Sequence, residues 1–199
     1  MKNLVKNALT VLVATLMLSA LPTDAEAEIY NDTIRLHILA NSDSTDDQNL
    51  KLEIRDKLLL EYGSFLTAGD SIDEAKCLVE EIIPKMERDC ATWISEMGYS
   101  YDVKISLDEE WYDTREYEDF ALPCGIYTSL KVIIGGGEGK NWWCVMYPPL
   151  CMELATENAP VDDGVIDYSK EEIKLIKGGK YNVKFKILEG LSKAFAKNG

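Results

Sequence analysis

Apolar residues recur at helical spacing in two stretches of the first half of the chain. In the first, every fourth residue of Leu50–Tyr62 is apolar or aromatic, which predicts a helix over about Asp46–Tyr62 with a stop at Gly63. The second stripe predicts a longer helix over about Ser71–Met97, introduced by a Ser-x-x-Glu capping box. Pro84 lies inside this second stripe and should kink or split the helix.

Strand-like patterns flank these helices. Ile34–Ala40 and Tyr101–Leu107 are short runs of the length and apolar content expected of strands. Ile126–Ile134 and Asn141–Tyr147 are rich in β-branched and aromatic residues and predict two more strands. The glycines of Gly135–Gly139 supply the conformations that a tight turn needs, so we predict a β-hairpin here, ended by the proline pair after the second strand.

The order of these elements is β-α-α-β-β-β. It predicts an α+β fold, with two helices packed on one face of a small, mostly antiparallel sheet. Residues 28–155 should form this domain, with an acidic, aromatic loop over residues 108–119 that could contain a short helix or strand. Residues 156–199 are expected to form a C-terminal tail, which could contain short helices over Lys170–Ile176 and Lys184–Lys197.

Residues 1–27 have the order of a secretory signal peptide. Lys2 and Lys6 precede an uncharged apolar run, Ala8–Leu21, and Ala25-Glu26-Ala27 offers a small-x-small cleavage site. The run is short for a membrane span, which needs about 20 apolar residues. We therefore expect a secreted protein that works outside the cytoplasm, with an uncleaved N-terminal anchor as the alternative.

The charge of the chain limits its partners. Its 35 acidic and 21 basic residues give a net charge of −14. Binding to phosphate backbones or anionic lipids needs a basic surface, so we expect no nucleic-acid partner. Membrane contact is expected only through a receptor or through an uncleaved signal segment.

No recognisable catalytic, cofactor or metal site stands out. The single histidine, His37, lies in a predicted strand, where a structural function with a satisfied ring is expected. The glycine run lacks the P-loop spacing, and the cysteines contain no C-x2-C pair. Asp43, Asp46 and Asp47 suit helix capping better than cation binding. We predict a protein that is not an enzyme and has no cofactor, although a carboxylate pair could still lie among the acids.

The five cysteines permit disulfides in an exported protein and leave at least one unpaired. Cys77 and Cys90 lie roughly 20 Å apart along one predicted helix, too far to pair. We prefer Cys144–Cys151, because the proline bend between them could bring the second cysteine back toward the strand. Cys124 could compete for either one.

Two stretches resemble the stage II sporulation protein R family of endospore-forming bacteria. They are Ile34–Leu59, with the run R-L-H-I-L-A-N-S-D-S, and Leu122–Cys151, with the run N-W-W-C-V-M-Y-P-P-L-C. The resemblance implies a secreted, non-enzymatic signal that passes from the forespore toward the mother cell. There it would trigger a membrane-embedded aspartic protease, by contact with its extracytoplasmic face, to process pro-sigma E. Cys124 departs from the family pattern, which usually has a small residue there.

The matching motifs also supply candidate residues for receptor binding. Trp142 and Trp143 should point to opposite sides of their strand, one into the core and one as a surface anchor. A buried Arg35–Asp56 pair would be a purely structural use of the first motif. A secreted cell-wall-binding module or cell-wall hydrolase remains the alternative function. The partner-binding candidates are His37, Asn41, Asp43, Trp142 and Trp143.

Overall fold

The computed structural model describes residues 2–20, 23–66, 71–117, 121–148, 169–177 and 188–190. No helix in these ranges is long and apolar enough to cross a membrane. The elements are, in chain order, α1 (Lys2–Ala20), α2 (Asp24–Asn31), β1 (Ile34–Leu39), α3 (Thr45–Leu66), α4 (Ile72–Glu96), β2 (Val103–Tyr112), β3 (Arg115–Glu116), β4 (Ala121–Leu122), β5 (Gly125–Ile134), β6 (Asn141–Tyr147) and α5 (Lys170–Lys177).

Four strands form a mixed sheet in the order β2-β5-β1-β6, and β3 and β4 pair in a separate two-stranded sheet. β1 lies parallel to β5 and antiparallel to β6. The predicted α+β class and the predicted β-α-α-β-β-β order are both confirmed. β1 is one of the two inner strands, paired with β5 on one side and β6 on the other, so its side chains meet neighbours on both sides.

The two faces of β1 differ in chemistry. Ile34, Leu36 and Ile38 share one face and are 0%, 1% and 0% exposed. Helix α3 packs against α4, β1 and β6, which makes this face the hydrophobic core. Arg35 and His37 alternate with these residues and so lie on the opposite face, where they are also buried. The buried apolar residues contributed by β5, α3 and α4 include Leu130, Val132, Ile134, Leu50, Ile54, Leu58, Val79, Met86 and Cys90.

The predicted hairpin is wrong. Both of its strands form close to the predicted limits, but β1 lies between them and pairs with each. The glycine segment therefore crosses the end of β1 instead of making a tight turn. Gly135 and Gly137 have φ of +58° and +64°. The crossing is fixed by backbone hydrogen bonds from Gly139 N to Ala40 O, 2.9 Å, and from Glu138 N to Asn41 O, 3.2 Å.

Both long helices continue through residues that were expected to interrupt them. α3 passes Gly63 and ends at Leu66, so the predicted stop is wrong. The hydroxyl of Tyr62 bonds Asp89 and accepts from Lys85 Nζ at 3.0 Å, which ties this last part of α3 to α4. α4 forms one helix that contains Pro84, an exposed residue. There water can bind the carbonyl group that proline leaves without a donor.

The N-cap of α4 and the start of β2 follow the sequence pattern. The side chain of Ser71 accepts from the backbone N–H of Glu74 at 3.3 Å, as the predicted capping box requires. β2 begins near the predicted position but continues to Tyr112, so the first part of the expected loop over residues 108–119 is strand. This extension carries Glu110 into the sheet.

The chain divides into two compact units. The first consists of Met1–Ile29, Trp111–Gly125 and Ser169–Gly199. The second consists of Tyr30–Glu110 and Ile126–Tyr168, and it contains most of the four-stranded sheet with α3 and α4. Our predicted boundaries, 1–27, 28–155 and 156–199, remain a prediction.

Within the first unit, two helices begin with reciprocal capping boxes. Glu26 N donates to Thr23 Oγ1 at 3.3 Å, while Thr23 N donates to Glu26 Oε2 at 2.7 Å. Ser169 and Glu172 repeat this arrangement at the start of α5. α5 packs against β4 and matches the first helix predicted in the tail. Of the second, Lys184–Lys197, the structure describes only the helical residues 188–190; the rest lies outside the described residues.

Candidate functional site

The loop after β1 is clamped to the glycine segment that crosses its end. Asn41 Oδ1 accepts from Gly136 N at 2.9 Å, and Asp43 Oδ1 accepts from Lys140 N at 2.7 Å. Lys51 of α3 is 4% exposed and donates to the carbonyl oxygen of Lys140 at 2.8 Å. Two predicted partner-binding residues, Asn41 and Asp43, are therefore engaged in holding the crossing segment in place.

Asp47 ties the same loop to the first turn of α3. Its Oδ2 accepts from Ser42 Oγ at 2.5 Å and from Asn41 Nδ2 at 3.0 Å, and its backbone N–H donates to Ser44 Oγ at 3.1 Å. The hydrogen bond from Ser42, followed by that from Asn41, holds the pKa of Asp47 below its ordinary value. The carboxylates of Asp43 and Asp47 hold the loop, whereas the hydroxyl of Ser44 caps α3, so the neighbouring serine supplies the cap that was predicted for the aspartates.

A second set of polar residues meets on the sheet face opposite the helices. His37 Nδ1 lies 2.8 Å from Glu110 Oε2, and Lys131 Nζ lies 3.0 Å from Glu110 Oε1. Ser129 Oγ donates to Glu110 Oε2 at 3.2 Å. The ring of Trp143 stacks on His37, with the ring centres 3.6 Å apart and the planes inclined by 25°. We call these five residues the His37 cluster.

The carboxylate of Glu110 is the electrostatic centre of this cluster. Burial alone would raise the pKa of Glu110, but hydrogen bonds and charge from His37 and Lys131 lower it to about 2. Glu110 is thus ionised at neutral pH and accepts from Nδ1–H of His37. His37 Nε2 is buried and has no hydrogen-bond partner among the described residues.

The arrangement does not match a nucleophilic catalytic site. A histidine base activates a serine or cysteine by a hydrogen bond from its free ring nitrogen. Here Ser129 bonds Glu110 instead of His37 Nε2. Across the residues that the structure describes, no three His, Cys, Asp or Glu side chains are grouped as metal ligands.

The two tryptophans lie on opposite faces of β6, as predicted. Trp143 is opposite His37 in the register, and Trp142 is opposite Ile38 on the core face. Trp142 is covered by the guanidinium of Arg55, whose carbon lies 5.0 Å from the ring centre. Both indoles are half-buried, so neither is a fully buried core residue. Of the five candidates, the structure brings together His37 and Trp143, places Asn41 and Asp43 at the loop, and separates Trp142 from both.

The hypothetical Arg35–Asp56 pair does not form. Asp56 is bonded by its neighbour Arg55, whose Nε lies 2.7 Å from Asp56 Oδ1. Arg35 is fully buried on the opposite sheet face, with its guanidinium carbon 5.1 Å from the ring centre of Tyr127. The prediction failed because Asp56 lies on an exposed part of α3, whereas Arg35 points away from the helices.

The described cysteines differ in whether they form a disulfide. Cys77 is exposed, whereas Cys90 and Cys124 are buried, and none of the three is part of a disulfide. Burial raises the pKa of Cys90 to about 12 and also raises that of Cys124, which keeps both as unreactive thiols. Cys144 is disulfide-bonded. Cys151 lies outside the described residues, so the Cys144–Cys151 pairing stays a prediction.

We expect peptide mapping of the non-reduced protein to find Cys144 and Cys151 in one linked peptide. Alkylation before reduction should label Cys77 readily, and Cys90 and Cys124 only after unfolding, because these two are buried. Cys90→Ser serves as the matched control that leaves the link intact. A linked peptide that contains Cys124 would contradict this pairing.

Sequence reasoning missed three members of the His37 cluster: Glu110, Ser129 and Lys131. A signal for two of them was present, because Ser129 and Lys131 alternate with the apolar Leu130 and Val132 in a strand that otherwise looked buried. This alternation indicates a polar second face. Glu110 gave no such signal, since its place in the sheet depends on the unpredicted extension of β2.

Comparison with known proteins adds the decisive observation. The family model described as stage II sporulation protein R matches residues 30–157, which is more than half of the chain. The chain belongs to the stage II sporulation protein R family. The resemblance recognised in the two sequence motifs is thereby confirmed, and the family indicates a role in sporulation.

One curated relative extends this comparison. The stage II sporulation protein R of Bacillus subtilis (strain 168) is 35% identical over 123 residues, which cover 62% of this chain and 55% of that protein. The chain therefore spans about half the length of the curated relative that it matches. No solved structure matches the chain. The match to the family includes all five members of the His37 cluster and the clamped loop.

Proposed function

We propose that this protein is an exported sporulation signal, without catalytic activity of its own. It binds the extracytoplasmic face of a membrane-embedded aspartic protease, which then processes pro-sigma E in the mother cell. The observation that carries the proposal is the family match over residues 30–157. The signal-peptide pattern of residues 1–27 supports export to the space between forespore and mother cell.

The geometry of the described residues fits a binding protein better than a hydrolase. The one histidine is bonded to Glu110 on one side and lacks a nucleophile on the other. Glu110, the one acid with a strongly lowered pKa in this cluster, is bonded by His37 and Lys131 and remains ionised well below neutral pH. A general acid needs the opposite, a carboxyl group that stays protonated near the working pH.

A ligand activates a receptor only if it binds the active state of that receptor more tightly than the inactive state. A ligand that binds the active and inactive forms of the protease equally shifts nothing, however tightly it binds. The signal must therefore make contacts that only the active form offers. Asn41 and Asp43 would contribute to such contacts only indirectly, by holding the loop. His37 and Trp143 belong to the sheet face that is free of the two long helices.

A deletion strain tests the proposal in the sporulating host. Without the protein, pro-sigma E should remain unprocessed, and the complete gene supplied in the forespore should restore processing. A version that lacks residues 2–20 is the matched control, because it loses the apolar export segment but keeps α2 with its capping box, and it should fail to restore processing. Normal processing in the deletion strain would contradict the proposed function.

A further inference from the structure

Arg55 lies over the indole of Trp142, with only part of its set of hydrogen-bond donors engaged. Its guanidinium carbon is 5.0 Å from the centre of the half-buried ring. A guanidinium has five N–H donors in one planar fork. Nε and Nη2 of Arg55 lie 2.7 Å and 2.6 Å from a single oxygen, Asp56 Oδ1, and Asp56 is the one hydrogen-bond partner of this guanidinium among the described residues. Nη1 is not buried, and the side chain is 24% exposed, so a partner can reach the remaining donors.

The bond between Arg55 and Asp56 can be exchanged for a stronger one. Residues at positions i and i+1 of a helix do not face each other, and here two donors converge on one oxygen instead of matching two. The Asp56 side chain is 54% exposed, and an exposed ion pair contributes little free energy because water screens it. The indole orients the guanidinium without Asp56, since the ring face attracts the cation. A carboxylate that meets the fork with two oxygens would therefore find it already oriented.

The same side of α3 exposes two large apolar residues. Leu52, Asp56 and Leu60 follow each other at intervals of four and lie along one stripe of the helix. Leu52 and Leu60 are 37% and 82% exposed. A single exposed leucine is ordinary, but two of them beside an arginine stacked on a tryptophan give the residue types that are enriched in protein interfaces. We call Leu52, Arg55, Asp56, Leu60 and Trp142 the α3 surface; all five belong to the second compact unit.

We propose that Arg55 is a recognition residue for the receptor protease and binds a carboxylate group, an aspartate or glutamate side chain of its polypeptide. This inference rests on the proposed function and names the chemistry of the contact. Leu52 and Leu60 pack on apolar side chains that flank this carboxylate. Asp56 is an internal competitor, because it occupies donors of the same fork until the receptor displaces it.

Charge determines which occupant fits the α3 surface. The donors of Arg55 need an acceptor, and the carboxylate is the protein group whose two oxygens match the fork. The phosphate of an anionic lipid has comparable oxygens, but the net charge of −14 opposes the approach of this chain to an anionic membrane. One acidic side chain within contact distance responds mainly to Arg55, because salt screens the more distant charges.

Two substitutions should change the affinity for the detergent-solubilised protease in opposite directions. Arg55→Met keeps an unbranched apolar chain over Trp142 but removes every donor, and we expect about tenfold weaker binding. Asp56→Ala removes the internal competitor and leaves Arg55 stacked, so binding should become about threefold tighter. Pro-sigma E processing at limiting signal should follow the same order.

Lys57→Met is the matched control, because it removes the same charge from the same helix. Nζ of Lys57 lies 5.6 Å from the ring centre of Trp93, so this variant also loses a cation over an indole, but outside the α3 surface. Its affinity should stay within about twofold of that of the unchanged protein. Urea unfolding of the three variants measures any loss of stability separately from binding.

A purely structural pair would give a different pattern, in which Arg55→Met and Asp56→Ala lose stability and affinity together. Weaker binding by Asp56→Ala would overturn the inference even if Arg55→Met did not fold. Unchanged affinity of a folded Arg55→Met variant would also overturn it. So would a dependence on Arg55 of binding to anionic vesicles, or of self-association, in place of receptor binding. The proposed function stands in each of these cases, whereas failure of the unchanged protein to trigger processing would overturn both.

Discussion

Gly139→Ala should lower the free energy of unfolding by about 3 kcal/mol or more. A Cβ at this position would overlap the carbonyl oxygen of Ser42 and lie 2.7 Å from its carbonyl carbon and 2.9 Å from the Cβ of Ala40. Backbone atoms cannot rotate away as a flexible side chain does. The crossing segment would have to lift, which breaks the hydrogen bond from Gly139 N to Ala40 O. Urea unfolding monitored by circular dichroism measures the change.

Gly136→Ala provides the matched control from the same segment. Its nearest contact would be the Asn41 Oδ1 at 3.6 Å, an ordinary van der Waals distance, and its φ is not positive. We expect its free energy of unfolding to change by less than about 1 kcal/mol. An equal decrease in the free energy of unfolding for both variants would show that the segment tolerates no side chain at either position. It would contradict the claim that the close contact between Gly139 and the backbone of Ser42 is what excludes a side chain.

Glu110→Gln should remove a pH-dependent stabilisation of up to about 3 kcal/mol at neutral pH. Hydrogen bonds and charge from His37 and Lys131 outweigh burial and lower the pKa of Glu110 from 4.5 to about 2. The folded state then binds this proton more weakly than the unfolded state. The stabilisation is therefore complete above pH 4.5 and is lost as the pH falls toward about 2.

Chemical unfolding at a series of pH values between 2 and 7 tests this expectation. The unchanged protein should lose stability steeply between about pH 4.5 and 2, whereas the Gln variant should show a shallower slope there. Glu109→Gln is the matched control, because Glu109 is the exposed neighbour on the same strand. Parallel stability curves for the Glu110 variant and the unchanged protein would show that the cluster carries no such linkage.

The sequence predicted elements better than it predicted their pairing. The limits of β5 and β6 followed from β-branched and aromatic runs, which depend on local composition. That β1 lies between them could not be read from the same residues, because parallel pairing joins strands far apart in the chain. The glycine run is compatible both with a tight turn and with a segment that crosses the end of another strand. The close contacts of Gly135 with Asn41 and of Gly139 with Ser42 distinguish the two.

The candidate site was predicted in part, for similar reasons. The motifs singled out His37 and Trp143, and adjacent strand positions bring them together. Their partners Glu110 and Lys131 come from two other strands, so their proximity is a product of tertiary structure alone. Asn41 and Asp43 were selected by the same motif, yet their hydrogen bonds serve the loop. A family motif thus combined residues that hold the loop with residues that form the His37 cluster.

Pro-sigma E cleavage in a host that does not sporulate tests the proposed signalling function most directly. The host co-expresses the precursor and the membrane-embedded protease, with or without this protein carrying its N-terminal segment. We expect cleavage only when the protein is present and exported. Absence of cleavage, with the protein shown to be folded and outside the cytoplasm, would contradict the account and leave its sporulation function unexplained.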